Sequence, residues 1–184
     1  MRPTLSLGEW RVATDLIATR MIRQIVPPLP CGRRCSSCRN WAVAYATALS
    51  EVLVEQLGRI GIDPTQPSDL YRSGDPAPTS GLIDHRVTFH AVGKILSGPA
   101  LWKEWDKVGT VRNYVRPSGA PEGLGLSIGA ARKLPDRSSW HAQVKGTLIE
   151  VDFRLPVPWL LDEPVPSRAG GTTDGAVFRK TGHR

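Results

Sequence analysis

Apolar residues near the start of the chain recur at the spacing of a helix. Over residues 7–25 they lie three or four positions apart, at Trp10, Ala13, Leu16, Ile17, Met21 and Ile25. This spacing predicts a helix with one apolar face. Glu9 follows Ser6 by three residues, as in a capping box, so we expect the helix to begin near Leu7. The prolines from Pro27 onward would end it.

A second apolar stretch predicts a buried helix over residues 38–57. Its first half is apolar on more than one side, which is typical of a helix that packs inside a protein. Gly58 and Gly61 follow this stretch and would end the helix. Ser36 or Ser37 can act as the N-cap, because a serine oxygen accepts a hydrogen bond from a free amide of the first turn.

Alternation of apolar and polar residues predicts strands in the second half of the chain. The strand-like segments are residues 110–116, 123–131, 140–144 and 147–153. Lys145-Gly146 fits a tight turn, so we interpret the last two segments as a hairpin. Residues 85–96 fit either a helix or a strand, and residues 99–108 are typical of a short helix. The chain therefore combines helices with an antiparallel sheet, which is the α+β class.

Length and composition are those of one domain. The chain has 184 residues, of which 40% are hydrophobic, enough for a substantial core. We expect residues 1–166 to form this domain, with residues 63–109 as a loop-rich insertion between the second helix and the sheet. Residues 167–184 are rich in glycine, polar and basic side chains, and are predicted to be a disordered tail.

The sequence shows no signal for a membrane or for secretion. No apolar run approaches the roughly 20 residues of a membrane-spanning helix. The first residues have neither a continuous apolar core nor a small-residue cleavage site, so we expect no secretory signal and a cytoplasmic protein. The cysteines are confined to residues 31–38, which does not fit a disulfide framework. They are predicted to be free, catalytic or metal-bound.

The net charge of +7 raises the question of an acidic partner such as nucleic acid. The arginines are scattered, however, and no alternation of aromatic and basic residues marks a binding strand. The chain has neither a Gly-x-Gly-x-x-Gly motif nor a phosphate-binding loop, which argues against a bound nucleotide. We therefore favour a peptide, protein or other amide substrate over nucleic acid, and we expect no cofactor.

Cys38, His141 and Asp152 form the leading candidate for a catalytic site. Cys38 would lie at or next to the first helical residue, where the partial positive charge of the helix favours a thiolate. In the predicted hairpin, antiparallel pairing brings His141 near Asp152. A neutral histidine can take the cysteine proton, and a carboxylate on its second ring nitrogen fixes the tautomer. This trio predicts acyl transfer or amide hydrolysis with Cys38 as the nucleophile.

Two short stretches carry a resemblance to a known superfamily. Residues 38–42 are Cys-Arg-Asn-Trp-Ala, which is similar to the Cys-Arg-Asp-Phe-Ala pattern at the nucleophile of bacterial transglutaminase-like proteins. Residues 140–152 contain Trp-His-Ala, then Gly, then Val-Asp, and this resembles the His-Ala-Trp…Gly…Val-Asp pattern of that superfamily. The resemblance implies a papain-like core, in which a nucleophile helix packs on an antiparallel sheet. It also implies Cys38 as nucleophile, His141 as base and Asp152 as the group that orients the base.

The three cysteines support a different hypothesis. Cys31, Cys35 and Cys38 have a spacing that lets three thiolates face one metal ion or one iron–sulfur cluster. Radical S-adenosylmethionine enzymes use the same spacing, but they need a long (β/α) barrel that this chain does not supply. A zinc site would need a fourth ligand. The candidates for that ligand are His85, His90 and His141. A zinc- or iron–sulfur-binding module that could also contact nucleic acid is therefore the alternative to the enzyme.

Overall fold

The described part of the chain folds into helices and an antiparallel sheet. The computed structural model describes residues 4–25, 31–32, 34–73, 81–105, 109–131, 144 and 146–166. The helices are α1 (Leu16–Ile25), α2 (Ser36–Leu49) and α3 (Glu51–Arg59). The strands are β1 (Thr4–Leu7), β2 (Trp10–Thr14), β3 (Asp69–Arg72), β4 (Leu82–Ser97), β5 (Trp102–Trp105), β6 (Gly109–Arg112), β7 (Gly125–Ala130) and β8 (Leu148–Pro158). The predicted tail of residues 167–184 lies outside the described residues.

Six of these strands form one sheet. Its order is β1-β2-β4-β8-β7, and β3 also pairs with β4. Each of these pairings is antiparallel. The strands β5 and β6 form a separate two-stranded hairpin. This mixture of helices with an antiparallel sheet confirms the predicted α+β class.

The strands β4 and β8 give the sheet two different faces, because successive side chains of a strand point to opposite sides. On the core face, Val87 and Phe89 of β4 pack with Val151 and Phe153 of β8 in a cluster that includes Trp41 of α2. The rings of Phe89 and Phe153 meet edge to face, with 6.1 Å between their centroids. The other side, which we call the polar face, carries Arg86, Thr88, His90, Glu150, Asp152 and Arg154.

The first predicted helix is wrong over its first half. In the structure, β1 and β2 form a hairpin through a two-residue connection. Gly8 in this connection has a φ of 58°, a backbone conformation that glycine adopts without strain. Trp10 and Val12 are fully buried and the residue between them is exposed, so this segment alternates with a period of two. The helix begins only at Leu16, and the predicted capping box does not form.

The second predicted helix is interrupted at Ser50. This residue has a φ of 68° and a ψ of 154°, and it separates α2 from α3. Leu49 before the break and Leu53 after it are both buried in the core, so both helices keep an apolar side inside the protein. Gly61, with a φ of 85°, follows the end of α3, as predicted for a helix C-terminus.

The predicted hairpin of residues 140–144 with residues 147–153 is wrong. The strand β8 pairs with β4 along its whole length. On its other edge, residues 149–154 pair with β7. A strand has only two hydrogen-bonding edges, so a third strand has no place to pair with this part of β8. Apart from Val144, the first segment of the predicted hairpin lies outside the described residues.

The middle of the chain contains more strand than the sequence indicated. Residues 85–96, which fitted either a helix or a strand, belong to β4 at the centre of the sheet. This strand lies within residues 63–109, which we expected to be a loop-rich insertion. Residues 99–108 contain β5 instead of the predicted helix. The strand predicted over residues 123–131 is confirmed as β7.

Candidate metal centre

The three cysteines meet at the start of α2. Cys31 lies in a turn before the helix, Cys35 is the N-cap residue and Cys38 is in the first turn. Their Sγ atoms all lie within 4.8 Å of one another, and the Sγ atoms of Cys31 and Cys38 are 3.4 Å apart. The three thiols, which we call the cysteine cluster, form no disulfide. The spacing of the three cysteines predicted that their side chains can face one ion. The structure brings these side chains together.

Local backbone geometry explains this meeting. The amide of Arg34 donates a hydrogen bond of 3.1 Å to the carbonyl of Cys31, which closes the turn before the helix. The amide of Arg39 donates one of 3.0 Å to the carbonyl of Cys35, and this bond opens α2. Cys35 and Cys38 are three positions apart, so they lie on the same side of the first turn. The turn then folds Cys31 back onto that side.

The helix start differs from the prediction in a way that affects Cys38. Cys35, with a φ of −67° and a ψ of 156°, is the N-cap instead of Ser36 or Ser37, and its side chain makes no capping hydrogen bond. Burial raises the pKa of the Cys38 thiol, and its hydrogen bonds with Cys31 and Cys35 raise it further. This shift is opposite to the lowering that we expected from the helix start. As described, Cys38 is a buried neutral thiol.

The start of α2 is fixed to the chain that follows β8. The side-chain amide of Asn40, which is fully buried, donates to the carbonyl of Pro158 at 2.9 Å. Its oxygen accepts a hydrogen bond of 2.7 Å from the amide of Leu160. Arg39 Nη2 donates hydrogen bonds of 2.7 and 2.9 Å to the two carboxylate oxygens of Glu163. The residues directly after Cys38 therefore hold the helix start against the end of the sheet.

The separation of the sulfur atoms suits a single ion. Zinc binds thiolates at about 2.3 Å in a tetrahedral geometry, which separates the sulfurs by about 3.8 Å. The sulfurs of the cysteine cluster, at most 4.8 Å apart, are close to this arrangement. In a [4Fe–4S] cluster each thiolate binds a different iron atom, so the sulfurs would lie further apart. The cysteine cluster therefore fits one ion better than an iron–sulfur cluster.

The histidines that were candidates for a fourth ligand lie either away from the cysteine cluster or outside the described residues. Among the described residues, the group of close metal-ligating atoms contains the three cysteines and no histidine or carboxylate. His85 is buried on the core face, where its Nδ1 atom is 2.9 Å from the carbonyl oxygen of Ile83. His90 is on the polar face of the same strand. His141 lies outside the described residues, so its pairing with Cys38 stays a prediction.

Asp152, the third member of the predicted catalytic trio, lies on the polar face, whereas α2 packs on the core face. Its fully buried carboxylate accepts hydrogen bonds from Arg86 Nε at 2.6 Å, Tyr114 OH at 3.0 Å and Thr88 Oγ1 at 3.3 Å. The start of α2 is fixed at the far end of β8, about 20 Å away along the strand. The structure therefore does not bring Asp152 to Cys38.

Sequence reasoning missed a partly buried charge cluster on the polar face, which surrounds the fully buried Asp152. We give this name to Arg86, Arg112, Tyr114, Glu150 and Asp152. Arg112 Nη1 donates to Glu150 at 2.5 Å, and its Nε atom is 3.0 Å from the Asp152 carboxylate. Arg86 binds the same two carboxylates. Two arginines thus balance two carboxylates, as buried charges require. The signal in the sequence was the alternation of Glu150 and Asp152 with apolar residues along β8.

The charge cluster changes the acidity of its members. Burial raises the pKa of Tyr114, and the negative charge of Asp152 raises it further. Burial by itself lowers the pKa of Arg86, but the hydrogen bond and charge of Asp152 outweigh that effect and raise it. The Tyr114 hydroxyl and the Arg86 guanidinium therefore keep their protons and remain donors to Asp152.

Leu101 and Tyr114 belong to the part of the chain that lies over the polar face, which we call the covering segment. Two glycines of β7 allow this segment to approach the sheet. A Cβ atom at Gly125 would lie 2.9 Å from the Cβ atom of Tyr114. A Cβ atom at Gly129 would overlap the side chain of Leu101. Glycine inside a strand is typical of such a close approach. The lack of a side chain at Gly125 thus lets Tyr114 approach the sheet and reach Asp152.

Comparison of this chain with protein-family models, with curated proteins and with solved structures found no match. The transglutaminase-like resemblance therefore stays a prediction that rests on its two short stretches. No described helix is long and apolar enough to cross a membrane.

Proposed function

We propose that this protein is a metal-binding protein in which Cys31, Cys35 and Cys38 hold one zinc ion. The observation that carries the proposal is the mutual approach of the three Sγ atoms to within 4.8 Å. Thiolate sulfur is also a preferred zinc ligand at structural sites.

The electrostatic surroundings favour such an ion. Zinc with three thiolates has one net negative charge, and the N-terminus of α2 has partial positive charge. The exposed side chain of Arg34 is next to the cysteine cluster in sequence and adds positive charge, whereas Arg39 is already paired with Glu163. A buried thiol such as Cys38 gives up its proton when a cation replaces it, so zinc binding would release protons.

The three sulfurs differ in exposure, and this suggests where a fourth ligand would bind. Cys38 is buried, Cys31 is intermediate and Cys35 is exposed. The fourth coordination position would therefore be reached from the side of Cys35. A water molecule, a ligand from outside the described residues or a group from another molecule can take it. A zinc ion in this place would join the turn around Cys31 to α2.

Metal analysis of the full chain tests this proposal. The protein is purified with its thiols reduced, and zinc is measured per chain by mass spectrometry. Cobalt(II) is then titrated into the metal-free protein, and the sulfur-to-cobalt absorption reports how many thiolates bind. We expect one ion per chain with thiolate absorption.

The variants Cys31→Ser, Cys35→Ser and Cys38→Ser are each expected to lose stoichiometric binding. Ser36→Ala, which changes a neighbour of Cys35 without removing sulfur, is the matched control and should bind as the unchanged chain does. A reduced protein that takes up neither zinc nor cobalt contradicts the proposal. Stoichiometric iron and sulfide in the purified protein would favour an iron–sulfur cluster over a zinc ion at these cysteines.

A second candidate function is cysteine-dependent acyl transfer or amide hydrolysis on a peptide, protein or other amide. It is favoured by Cys38 in the first turn of a helix that packs on an antiparallel sheet, which is the arrangement a papain-like core would need. Labelling with iodoacetamide near neutral pH separates the two candidates. Faster modification of Cys38 than of Cys31 and Cys35 supports the enzyme, whereas protection of all three thiols by zinc supports the metal site.

A further inference from the structure

A groove on the polar face has a distinctly basic lining. It lies where the β5–β6 hairpin and the segment after it pass over β7 and β8, and its volume is about 650 Å³. Four of its lining side chains are cationic at neutral pH: Lys103, Arg112, Arg116 and Arg154. None of the described residues that line it is acidic. We call it the basic groove.

The two carboxylates that contact Arg112, a lining residue of the basic groove, are already bound. Glu150 and Asp152 are members of the charge cluster, where Arg86 and Arg112 balance them. Asp152 is fully buried and therefore cannot move out to meet the rim of the groove. Arg154 is exposed on the same face of β8, and among the described residues it forms no ion pair.

Arg112 forms the inner end of this arrangement. Its side chain is 13% exposed and is held by Glu150 and Asp152. Within the described part of the chain, its Nη2 atom is buried and has no hydrogen-bond partner. Arg112 also lines the groove, so its guanidinium adds a positive charge there although its Nη2 atom is buried. The groove therefore combines exposed basic side chains at its rim with the partly buried Arg112 at its inner end.

We propose that the basic groove binds the phosphate group of a ligand about the size of a nucleotide. Guanidinium groups recognise phosphate through paired N–H donors, and three of the four cations here are arginines. A volume of about 650 Å³ falls within the range of pockets that take small organic ligands. The groove is on the polar face, away from α2 and the cysteine cluster, so this site is independent of the metal proposal.

The phosphate can belong to a free nucleotide, to an inorganic phosphate compound or to a nucleic-acid strand. The test therefore has three arms: calorimetric titration of the full chain with ADP, with inorganic pyrophosphate and with a short single-stranded oligonucleotide. Each arm is measured at low and at moderate salt. A nucleic-acid source predicts the tightest binding in the third arm with a steep loss on adding salt. A nucleotide source predicts that ADP binds more tightly than pyrophosphate.

Charge reversal separates this site from general attraction to a basic protein. Arg154→Glu is expected to weaken binding in the responsive arm by at least about tenfold, because it removes charge-assisted hydrogen bonds. Arg20→Glu is the matched control, since it reverses an exposed arginine on α1 outside the groove. It should change binding by less than about twofold, which is the size expected of a screened distant charge.

Two results would overturn the proposal. One is the absence of measurable binding in all three arms at millimolar ligand. The other is equal weakening by Arg154→Glu and Arg20→Glu, which would indicate non-specific attraction. Circular dichroism of both variants verifies folding, and Arg116→Glu, which alters a second exposed arginine of the rim, repeats the test if Arg154→Glu fails to fold.

Discussion

The Sγ atoms of Cys31 and Cys38 are 3.4 Å apart, although six residues separate them in the chain. This contact connects a loop to the first turn of a helix that is itself fixed to the end of the sheet. An ion at this point would act as a cross-link, because it would bind the folded arrangement and not the unfolded chain.

Removal of the metal should therefore lower thermal stability. A ligand present at about 1,000 times its dissociation constant stabilises the folded state by about 4 kcal/mol. For a chain of this size, that corresponds to a melting temperature higher by roughly 8–16 °C. We expect scanning calorimetry to show this difference between the zinc-loaded protein and the protein stripped by a chelator. Equal melting temperatures, with zinc present in one sample and absent from the other, would argue against a structural ion.

Substitution of Asp152 should be among the most destabilising changes on the polar face. Asp152→Asn leaves the buried ends of Arg86 and Arg112 with one fewer negative charge, which costs roughly 3–5 kcal/mol. Glu163→Gln is the control, because it breaks the exposed ion pair with Arg39 and should cost at most about 1 kcal/mol. Urea unfolding measures both values. Similar values for the two variants would mean that the charge cluster does not stabilise the fold.

His85 should make stability depend on pH in a predictable direction. Burial lowers the pKa of His85 in the folded protein below its usual value. As the pH falls through about 6.5, the unfolded chain takes up a proton that the folded protein does not. Stability therefore decreases on acidification, by up to about 1.4 kcal/mol per pH unit from this residue.

Urea unfolding between pH 7 and pH 5 measures that slope. His85→Phe removes the titrating group and should flatten the curve in this window, whatever its effect on stability at pH 7. His90→Phe, on the polar face of the same strand, should keep the slope because His85 is still present. An unchanged slope in His85→Phe would assign the pH dependence to other groups.

The close approach of Tyr114 to β7 predicts opposite effects for two glycine substitutions. Gly125→Ala would force apart the Cβ atom of Tyr114 and the strand, and we expect it to cost about 1–3 kcal/mol. Gly58→Ala adds a methyl group in open space on α3 and should stabilise the protein by about 0.5–1 kcal/mol. Chemical unfolding of both variants tests the pair. A stabilising Gly125→Ala would show that the covering segment can move away from the polar face.

Local patterns predicted the elements better than their pairing. The period of three and four that suggested a helix from residue 7 left out Val12, whose burial together with Trp10 has the period of two of a strand. The deciding feature is Gly8, whose positive φ makes the connection between β1 and β2. The hairpin predicted around Gly146 failed for another reason. The strand β8 finds both its neighbours far away in sequence, and short-range turn signals contain no information on such pairs.

The cysteine cluster and the charge cluster also differed in how far the sequence could predict them. The cysteine cluster was predictable, because its members lie within eight positions and a loop followed by a helix turn brings them together. The charge cluster was not, because Arg86 meets Asp152 only through the register that places Thr88 opposite Asp152. The basic groove depends further on the β5–β6 hairpin, in a segment where the sequence predicted a helix. Sites that depend on several distant pairings need the tertiary structure before their residues can be grouped.

The hydrogen bonds of Asn40 with Pro158 and Leu160 have a consequence for biosynthesis. The ribosome makes the three cysteines early, but the backbone groups that hold the start of α2 in place emerge more than a hundred residues later. A nascent chain can offer its sulfurs to an ion long before it can hold them in their final orientation. If the proposed ion binds, its capture in the mature geometry would therefore be a late event, completed only after β8 has been synthesised and docked.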